Sequence, residues 1–579
     1  MKRSTAACLA AFAALATVAP AFAATSSSAL PAVTKVINGN SALAFVVRNI
    51  TQAGDIFNSL ARKVSPDWVA QPPSVMFKQM GSVKGINYSG SAAVVMPQFP
   101  MVQQMQAMQG PPAALVVPVT NADAFLAPLH PGKPQGGIIT VHPRGAPVSI
   151  FAVKTGHFVA LCLSAKVAKS FLDMKTSLAV AMAPALQTHC VQKAAFLFMR
   201  GSAIGSPLVK DIVFGRKQAR QMQIQMQAQM AQMQAGNGAA VKAKAKKKPT
   251  PHYSNKARFR LILALVRKGL SGIPQAVITM NAAHSGLQLQ IRMLVKHGSA
   301  LARVAAGSKP LNNRPLAGLP VAQYLGAGAF TMNGAVAARE VSAVNAALLK
   351  RHKPWAGAKF ESVTFKKLMA RLALLGNQRA VVADSSAGGG ANYGIVIAAS
   401  PHPRQLANLP IGHQYRQLPE KVRAGGAAFT GFRRAGQTRP TGPTSNAGTS
   451  GAPNTNYSAV VKHQMLLVMH RTPAQLGPIV KRIRAGSDAL DRRLKIYAAG
   501  EKPLSHAWLV AYLAMDRWAA GSGAAAPSNG LAVGAPPAPV LVSANRSPKQ
   551  IHIELDVPAA QVKDFLHFIA PSQNVLFGI

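Results

Sequence analysis

Between Ile551 and Ile569 the chain changes its hydrophobic period. Ile551, Ile553, Leu555 and Val557 alternate with His552, Glu554 and Asp556, which predicts a strand with one apolar and one polar face. Pro558 follows, where a first helical turn tolerates a missing N–H. Val562, Phe565, Leu566 and Ile569 then recur at i, i+3, i+4, i+7, the stripe of an amphipathic helix. The unit is a half-wet strand running into a helix with one apolar face.

The same pattern returns four times. Leu115–Leu129 has a strand, a cap at Thr120 or Asn121, and a stripe of Ala122, Phe125, Leu126 and Leu129. Ala42–Val64 has Thr51 as its candidate cap, then Ala53, Ile56, Phe57, Leu60 and Val64. His157–Leu172 is a shorter copy capped by Ser164. Met465–Ile483 places Leu476, Ile479, Val480 and Ile483 on one stripe, with Pro478 expected to break or restart the helix. No fixed period links the copies, so they do not make a solenoid; a duplication and convergent packing explain them equally.

Further segments fill in the pattern. Gly136–Leu163 reads as a three-strand meander turning at Pro143–Gly145 and near Thr155–Gly156. Ala276–Ala282 and Leu287–Val295 read as a hairpin turning near Ser285–Gly286. Ser299 caps a short helix that Gly307 closes in the left-handed conformation. Ala380–Asp384 and Tyr393–Ala399 are strands flanking a glycine-rich loop, which lacks the Lys-Ser/Thr of a phosphate-binding loop. Trp508, Tyr512, Met515 and Trp518 suggest a helix. Short returns between one-sided strands demand antiparallel pairing. The predicted class is α+β, with two lobes of mainly antiparallel sheet and amphipathic helices packed on one face.

The divisions that follow are a signal peptide at 1–23, an N-terminal lobe at 41–211, and a Met/Gln-rich helix with a basic linker at 212–257. The second lobe occupies 258–432 and 459–579. A loop rich in Gly, Pro, Ser and Thr interrupts it at 433–458, and a second loose stretch lies at 519–539.

The leader bears on compartment. Lys2 and Arg3 precede an apolar run, and Ala21-Phe22-Ala23 is a small-x-small site, so cleavage is expected after Ala23. No later run reaches the ~18 apolar residues of a membrane helix. The expected location is the periplasm or the extracellular space. Outside the leader only Cys162 and Cys190 remain, and they either pair or lie buried as thiols.

Charge changes the picture most. Lys and Arg number 64 against 16 Asp and Glu, a formal net of +48. Such a balance first suggests nucleic acid. Export, the even spread of basic residues and an aromatic content of 6% without stacking patterns argue against that partner. The remaining readings are an anionic envelope polymer or lipid held by a diffuse positive field, or an acidic medium in which carboxylates contribute little.

Candidate chemistry is thin. The chain has no HExxH, G-x-S-x-G, Walker or CxxC motif. His552, Glu554 and Asp556 share one strand face, where a metal or an acid–base pair can use them; the plainer reading is a solvent-facing strand side. Met222, Met226, Met230 and Met233 form one stripe of a glutamine-rich helix, and Met101, Met105 and Met108 form a shorter one. Thioethers are soft Cu(I) ligands, yet methionine stripes more often dock on a neighbour. No cofactor follows from these residues. The units at Leu115–Leu129 and Ile551–Ile569 resemble those of uncharacterised exported bacterial proteins built from repeated strand–helix elements, a likeness that implies no activity or site residues. The expected role is a non-catalytic envelope protein that binds or scaffolds. A carrier of an apolar or anionic envelope molecule, a Cu(I) handler and a hydrolase with an unrecognised site stand as alternatives.

Overall fold

The computed structural model describes residues 29–55, 58, 74, 84–99, 112–143, 149–236, 255–283, 286–311, 314–319, 324–351, 358–376, 378–384, 393–408, 415–434, 455–469, 473–486, 490, 507–514, 539–547 and 549–562. The expected leader, the predicted Met101–Met108 stripe, the expected basic linker, most of the two stretches read as loose and the end of the Ile551–Ile569 unit lie outside the described residues.

In the first half the strands are β1 (Leu43–Val47), β2 (Ala92–Met96), β3 (Ala114–Pro118), β4 (Ile138–Val141), β5 (Ile150–Thr155), β6 (Phe158–Cys162), β7 (Ala195–Met199), β8 (Ala276–Ala283) and β9 (Gly286–Leu294). Its helices are α1 (Ala122–Leu126), α2 (Ala165–Leu172), α3 (Leu178–Ala181), α4 (Pro184–Val191), α5 (Gly201–Gly236) and α6 (Asn255–Ser271), and α7 (Ala300–Gly307) follows β9. The second half holds β10 (Tyr324–Thr331), α8 (Gly334–Arg351), α9 (Ala358–Leu374), β11 (Gln378–Asp384), β12 (Tyr393–Ala399), α10 (Pro403–Ala407) and β13 (Tyr415–Ala424). It continues with β14 (Ala427–Arg434), β15 (Thr455–Val461), β16 (Gln464–Met469), α11 (Pro473–Ala485), β17 (Ala507–Leu513), β18 (Val540–Ser547) and β19 (Gln550–Pro558).

The protein is α+β, and its strands pair antiparallel throughout, as the short returns predict. From one edge the pairings run β4-β5-β6-β3-β2-β1-β7-β8-β9, then β19-β18-β17-β10-β11-β12-β16-β15-β14-β13. The ladder is open rather than closed into a barrel. The second run is the first in reverse, with β13 added at its outer edge. Partner registers agree as well as order: Val46–Phe196–Thr279–Gln290 in one half matches Ala329–Val510–Ser543–Glu554 in the other. The repeat that the sequence left open is thus present in the topology. β8, assigned from sequence to the second lobe, pairs onto β7 of the first, and β9 pairs onto β8.

The halves meet through β9 and β19, whose central partners are Gln290 and Glu554. A local two-fold at that pair exchanges Arg292–His552 with Gln288–Asp556. The strands align as GLQLQIRML and QIHIELDVP, with the same alternation of apolar and polar positions.

One face of the ladder carries the main cores. In the first half Val46, Ala93, Val116, Ala160 and Phe196 pack with Val167 and Phe171 of α2, Leu178 of α3 and Leu186 of α4. In the second, Ala329, Ile397, Leu466 and Val510 pack with Leu476, Ile479, Val480 and Ile483 of α11, the stripe read from sequence. The opposite face is covered too: Phe125 and Leu126 of α1 lie over Phe45, Val94, Leu115 and Val117. This second cover goes beyond the one-sided packing that alternation predicts. Its cause is in β1 and β3, LAFVV and ALVVP, which are continuous apolar runs rather than alternating ones.

Local expectations fare unevenly. Asn121, Ser164 and Ser299 cap their helices, accepting from the N–H of Ala124 (2.9 Å), Val167 (3.3 Å) and Ala302 (3.1 Å). Thr51 is not the cap of its helix; Asn49 accepts from Gln52 N at 3.0 Å instead. Pro478 sits inside a continuous α11, whose buried stripe holds the helix together across it. Gly307 is not left-handed: α7 ends on extended Ser308, and a Cβ on Gly307 would come within 3.2 Å of Asn333. Trp508 and Tyr512 stand on strand β17, not on a helix. A separation of four suits one strand face as well as one helix face, and β10 and β18 supply the hydrogen-bond partners that decide it.

Outside the ladder, Glu340 of α8 binds Arg303 of α7 and lies 3.4 Å from Lys268 of α6, tying three helices together. The hydrogen bond from Arg303 holds the Glu340 carboxyl below the usual carboxylate range.

Candidate functional site: the polar joint between the halves

Across the joint the core row turns polar. His552, Glu554 and Asp556 lie on one face of β19, as alternation predicts, but they are half-buried rather than open to water. His552 is flanked by Arg292 of β9 and Asn545 of β18, Glu554 by Gln290 and Ser543, and Asp556 by Gln288 and Leu541. Cross-strand partners project to the same side, so these residues form one patch. Glu554 Oε1 accepts from Gln288 Nε2 at 2.6 Å and Gln290 Nε2 at 2.9 Å.

The first half adds a lid to the patch. Pro184 starts α4 at a position where its missing N–H costs nothing. At the other end the Arg48 guanidinium donates to the carbonyls of Val191 and, at 3.4 Å, Lys193, which caps the helix. His189, on this helix, hydrogen-bonds through Nε2 to the Thr279 hydroxyl at 2.9 Å. Its ring stands edge-on to His552 with centroids 6.4 Å apart. Burial, helped by the charges of Arg292, Lys193 and His552, pulls His189 down to about 3, so it is neutral at ordinary pH. Lys193 is lowered by burial and by Arg292, while Glu554 acts in the opposite direction.

This arrangement is poorly suited to the metal or acid–base uses considered from sequence. Alternate residues of a strand are about 6.6 Å apart, so His552 and Asp556 stand about 13 Å apart along it. Metal–ligand bonds are only about 2 Å long, and the three side chains cannot converge on one ion. Among the described residues no group of three His, Cys, Asp or Glu could hold a metal. The nearest carboxylate to His552 on its own strand face is Glu554, which two amides already engage.

Cys162 and Cys190 are free thiols inside the same core. Burial pushes Cys162 up to about 12 and Cys190 well above the ordinary thiol range, so both are unreactive at neutral pH. Met222 and Met226 are 63% and 57% exposed on α5, beyond the part of that helix beside α6; the side chains of Met230 and Met233 lie outside the described residues.

A second surface lies at the outer edge of the ladder. Edge strand β13 exposes Arg416, Lys421 and Arg423, with Glu420 as its one acid. Beside it α11 exposes Lys481, Arg482 and Arg484, and Arg484 donates to Gly426 O at 2.8 Å in the β13–β14 turn. Lys462 and His463, exposed in the β15–β16 turn, lie at the same end. Pro419 and a register break between Gln417 and Lys421 blunt this edge against pairing with another strand.

No protein-family model matches the chain, and no curated protein or solved structure is detectably similar to it. Among the described residues no helix is long and apolar enough to cross a membrane.

His189, Lys193, Thr279 and Arg292 were not singled out from sequence. They come from three segments that only the ladder brings together. One signal was available: the polar positions of Gly286–Leu294 match those of Gln550–Pro558.

Proposed function

We propose that the protein is a non-catalytic, exported component of the cell envelope that holds an anionic polymer or lipid surface through its basic exterior. The observation that carries this reading is the cationic edge formed by β13 and α11. Among the described residues it presents Arg416, Lys421, Arg423, Lys481, Arg482 and Arg484 with Glu420 as the one carboxylate of the strand, on an edge strand shaped against strand addition. Even if every carboxylate in the chain paired with a cation, a net charge of +48 would remain to draw in anions. The leader at 1–23 supports export.

Vesicle co-sedimentation tests the reading. Full-length protein lacking its leader should sediment with phosphatidylglycerol vesicles and not with phosphatidylcholine vesicles, and added salt should release it. The triple variant R416Q/K421Q/R423Q should release at markedly lower salt. Equal binding to both vesicle types, or no effect of the triple variant, would remove the edge as the binding surface.

A further inference from the structure

The face that carries both cores is apolar on either side of the joint and polar in the middle. One row of cross-strand partners shows this from Ile138 to Ala459. It runs Ile138, Val153, Ala160, Val116, Ala93, Val46 and Phe196, then Thr279, Gln290, Glu554 and Ser543, then Val510, Ala329, Ala380, Ile397, Leu466 and Ala459. The halves have diverged where they meet. The two-fold matches Gln288 with His552 and Arg292 with Asp556, so one end of the patch has become cationic and the other acidic.

We propose that the cationic end, formed by Arg292, His552 and Lys193, is a site for a single oxyanionic group, a phosphate or a carboxylate. Arg292 and His552 are direct partners on adjacent strands, and their side chains leave the sheet side by side. The Arg292 Nε–H is buried and has no hydrogen-bond partner among the described residues. A buried guanidinium donor left in that state is destabilising, and such donors are normally met by a ligand or an ordered water. Lys193 lies near enough to Arg292 for the two charges to oppose each other. Glu554, the acid that acts on Lys193, already accepts from Gln288 and Gln290. An oxyanion would satisfy the open guanidinium donor and relieve the repulsion between the cations. A free cation would be opposed by Arg292 and Lys193. The site is remote in sequence from the basic edge and does not depend on the surface reading.

Calorimetric titration of inorganic phosphate into the full-length protein without its leader tests the proposal. Saturable binding with one phosphate per chain is expected, weakened about tenfold or more by R292Q, a loss of at least about 1.4 kcal/mol. R423Q, on the edge strand, should leave it unchanged while lowering vesicle binding, so failure of this site and failure of the surface reading are distinguishable. Competition by acetate stronger than by sulfate would assign the site to carboxylates, and the reverse to phosphate-like groups. If R292Q does not fold, K193Q takes its place with the same expected weakening. No saturable binding of phosphate, sulfate or acetate, or binding insensitive to whichever of these variants folds, would overturn the proposal.

Discussion

The two halves share a strand order and a register but have spent them differently. In the first, α2, α3 and α4 close one sheet face and α1 the other, and Phe45, Phe125, Phe196 and Phe198 fill the layers between. In the second, α11 closes the main face, and α10 covers a smaller cluster of Ala398, Leu406, Ala407 and Met465 on the other. Among the described residues β13 has no counterpart in the first half. At the joint neither pattern holds: the central positions of β9 and β19 on this face are polar, and His189 of α4 lies over them. The same antiparallel pairing therefore produces buried, half-buried and edge strands. Burial is set by what packs on a strand rather than by how the strand pairs.

Four changes probe that difference, the largest effect first. Phe198 and Tyr512 occupy matching positions, each partnering a core residue of the next strand, Val277 or Leu541. Phe198 is 0% exposed and Tyr512 3%. Phe198→Ala should cost about 3–5 kcal/mol, read from the denaturant midpoint, and Tyr512→Ala should cost a comparable amount. A cost below about 1 kcal/mol for either would mean that its half lacks the tight core described.

Gly286 breaks the symmetry of the joint. Its φ is +145°, and an added Cβ would lie 2.0 Å from Val557 O. Gly286→Ala should cost on the order of 2–3 kcal/mol, whereas Gln550, its counterpart, should accept Ala with little loss. Thermal melting of the two variants compares them directly; equal losses would mean that the two ends of the joint are alike.

His189→Gln acts at the joint and through pH. At neutral pH the variant loses or weakens the bond to Thr279, about 1 kcal/mol. The wild-type folded state holds His189 at about 3 against 6.5 when unfolded. Its neutral burial therefore leaves stability intact above about 6.5, and stability declines as pH falls from there toward 3. His189→Gln should flatten that part of the acid profile in denaturant titrations across pH. An unchanged acid slope would place the sensitivity elsewhere. The same group limits the acid-medium reading of the composition, since a chain poor in carboxylates still carries one buried histidine that acid must charge.

The smallest effect is expected outside the ladder. Gly201 of α5 meets Ile273 O and Leu270 O at the end of α6, whereas Gln221, Met222, Ile224, Gln225 and Met226 farther along are exposed. Deleting Arg220–Ala235 should change stability by no more than about 0.5 kcal/mol. A cooperative loss of folding would show that this distal stretch belongs to the core.

Much of the local grammar was legible in the residues. The stripe Leu476, Ile479, Val480 and Ile483, the caps Asn121, Ser164 and Ser299, and the alternating face of β19 follow from periods of 3.6 and 2 and from side-chain oxygens that reach nearby N–H groups. Trp508–Tyr512 was misread because a spacing of four satisfies both periods. The polar joint was half legible, since His552, Glu554 and Asp556 announce themselves whereas Arg292, Lys193 and His189 look like ordinary surface and helix residues.

By itself the sequence determined the α+β class, the antiparallel pairing, most strand and helix positions, and the excess of positive charge. These depend on neighbours along the chain or on composition, which need no knowledge of distant contacts. Only the tertiary structure decided that the strand order is repeated, that β9 and β19 join the halves at Gln290 and Glu554, and that helix α4 brings His189 over that joint. Pairing between β-strands is non-local, and alternation shows which face of a strand is apolar without showing which strand lies beside it. A polar strand face became a half-buried patch because residues more than two hundred positions away in the chain closed around it.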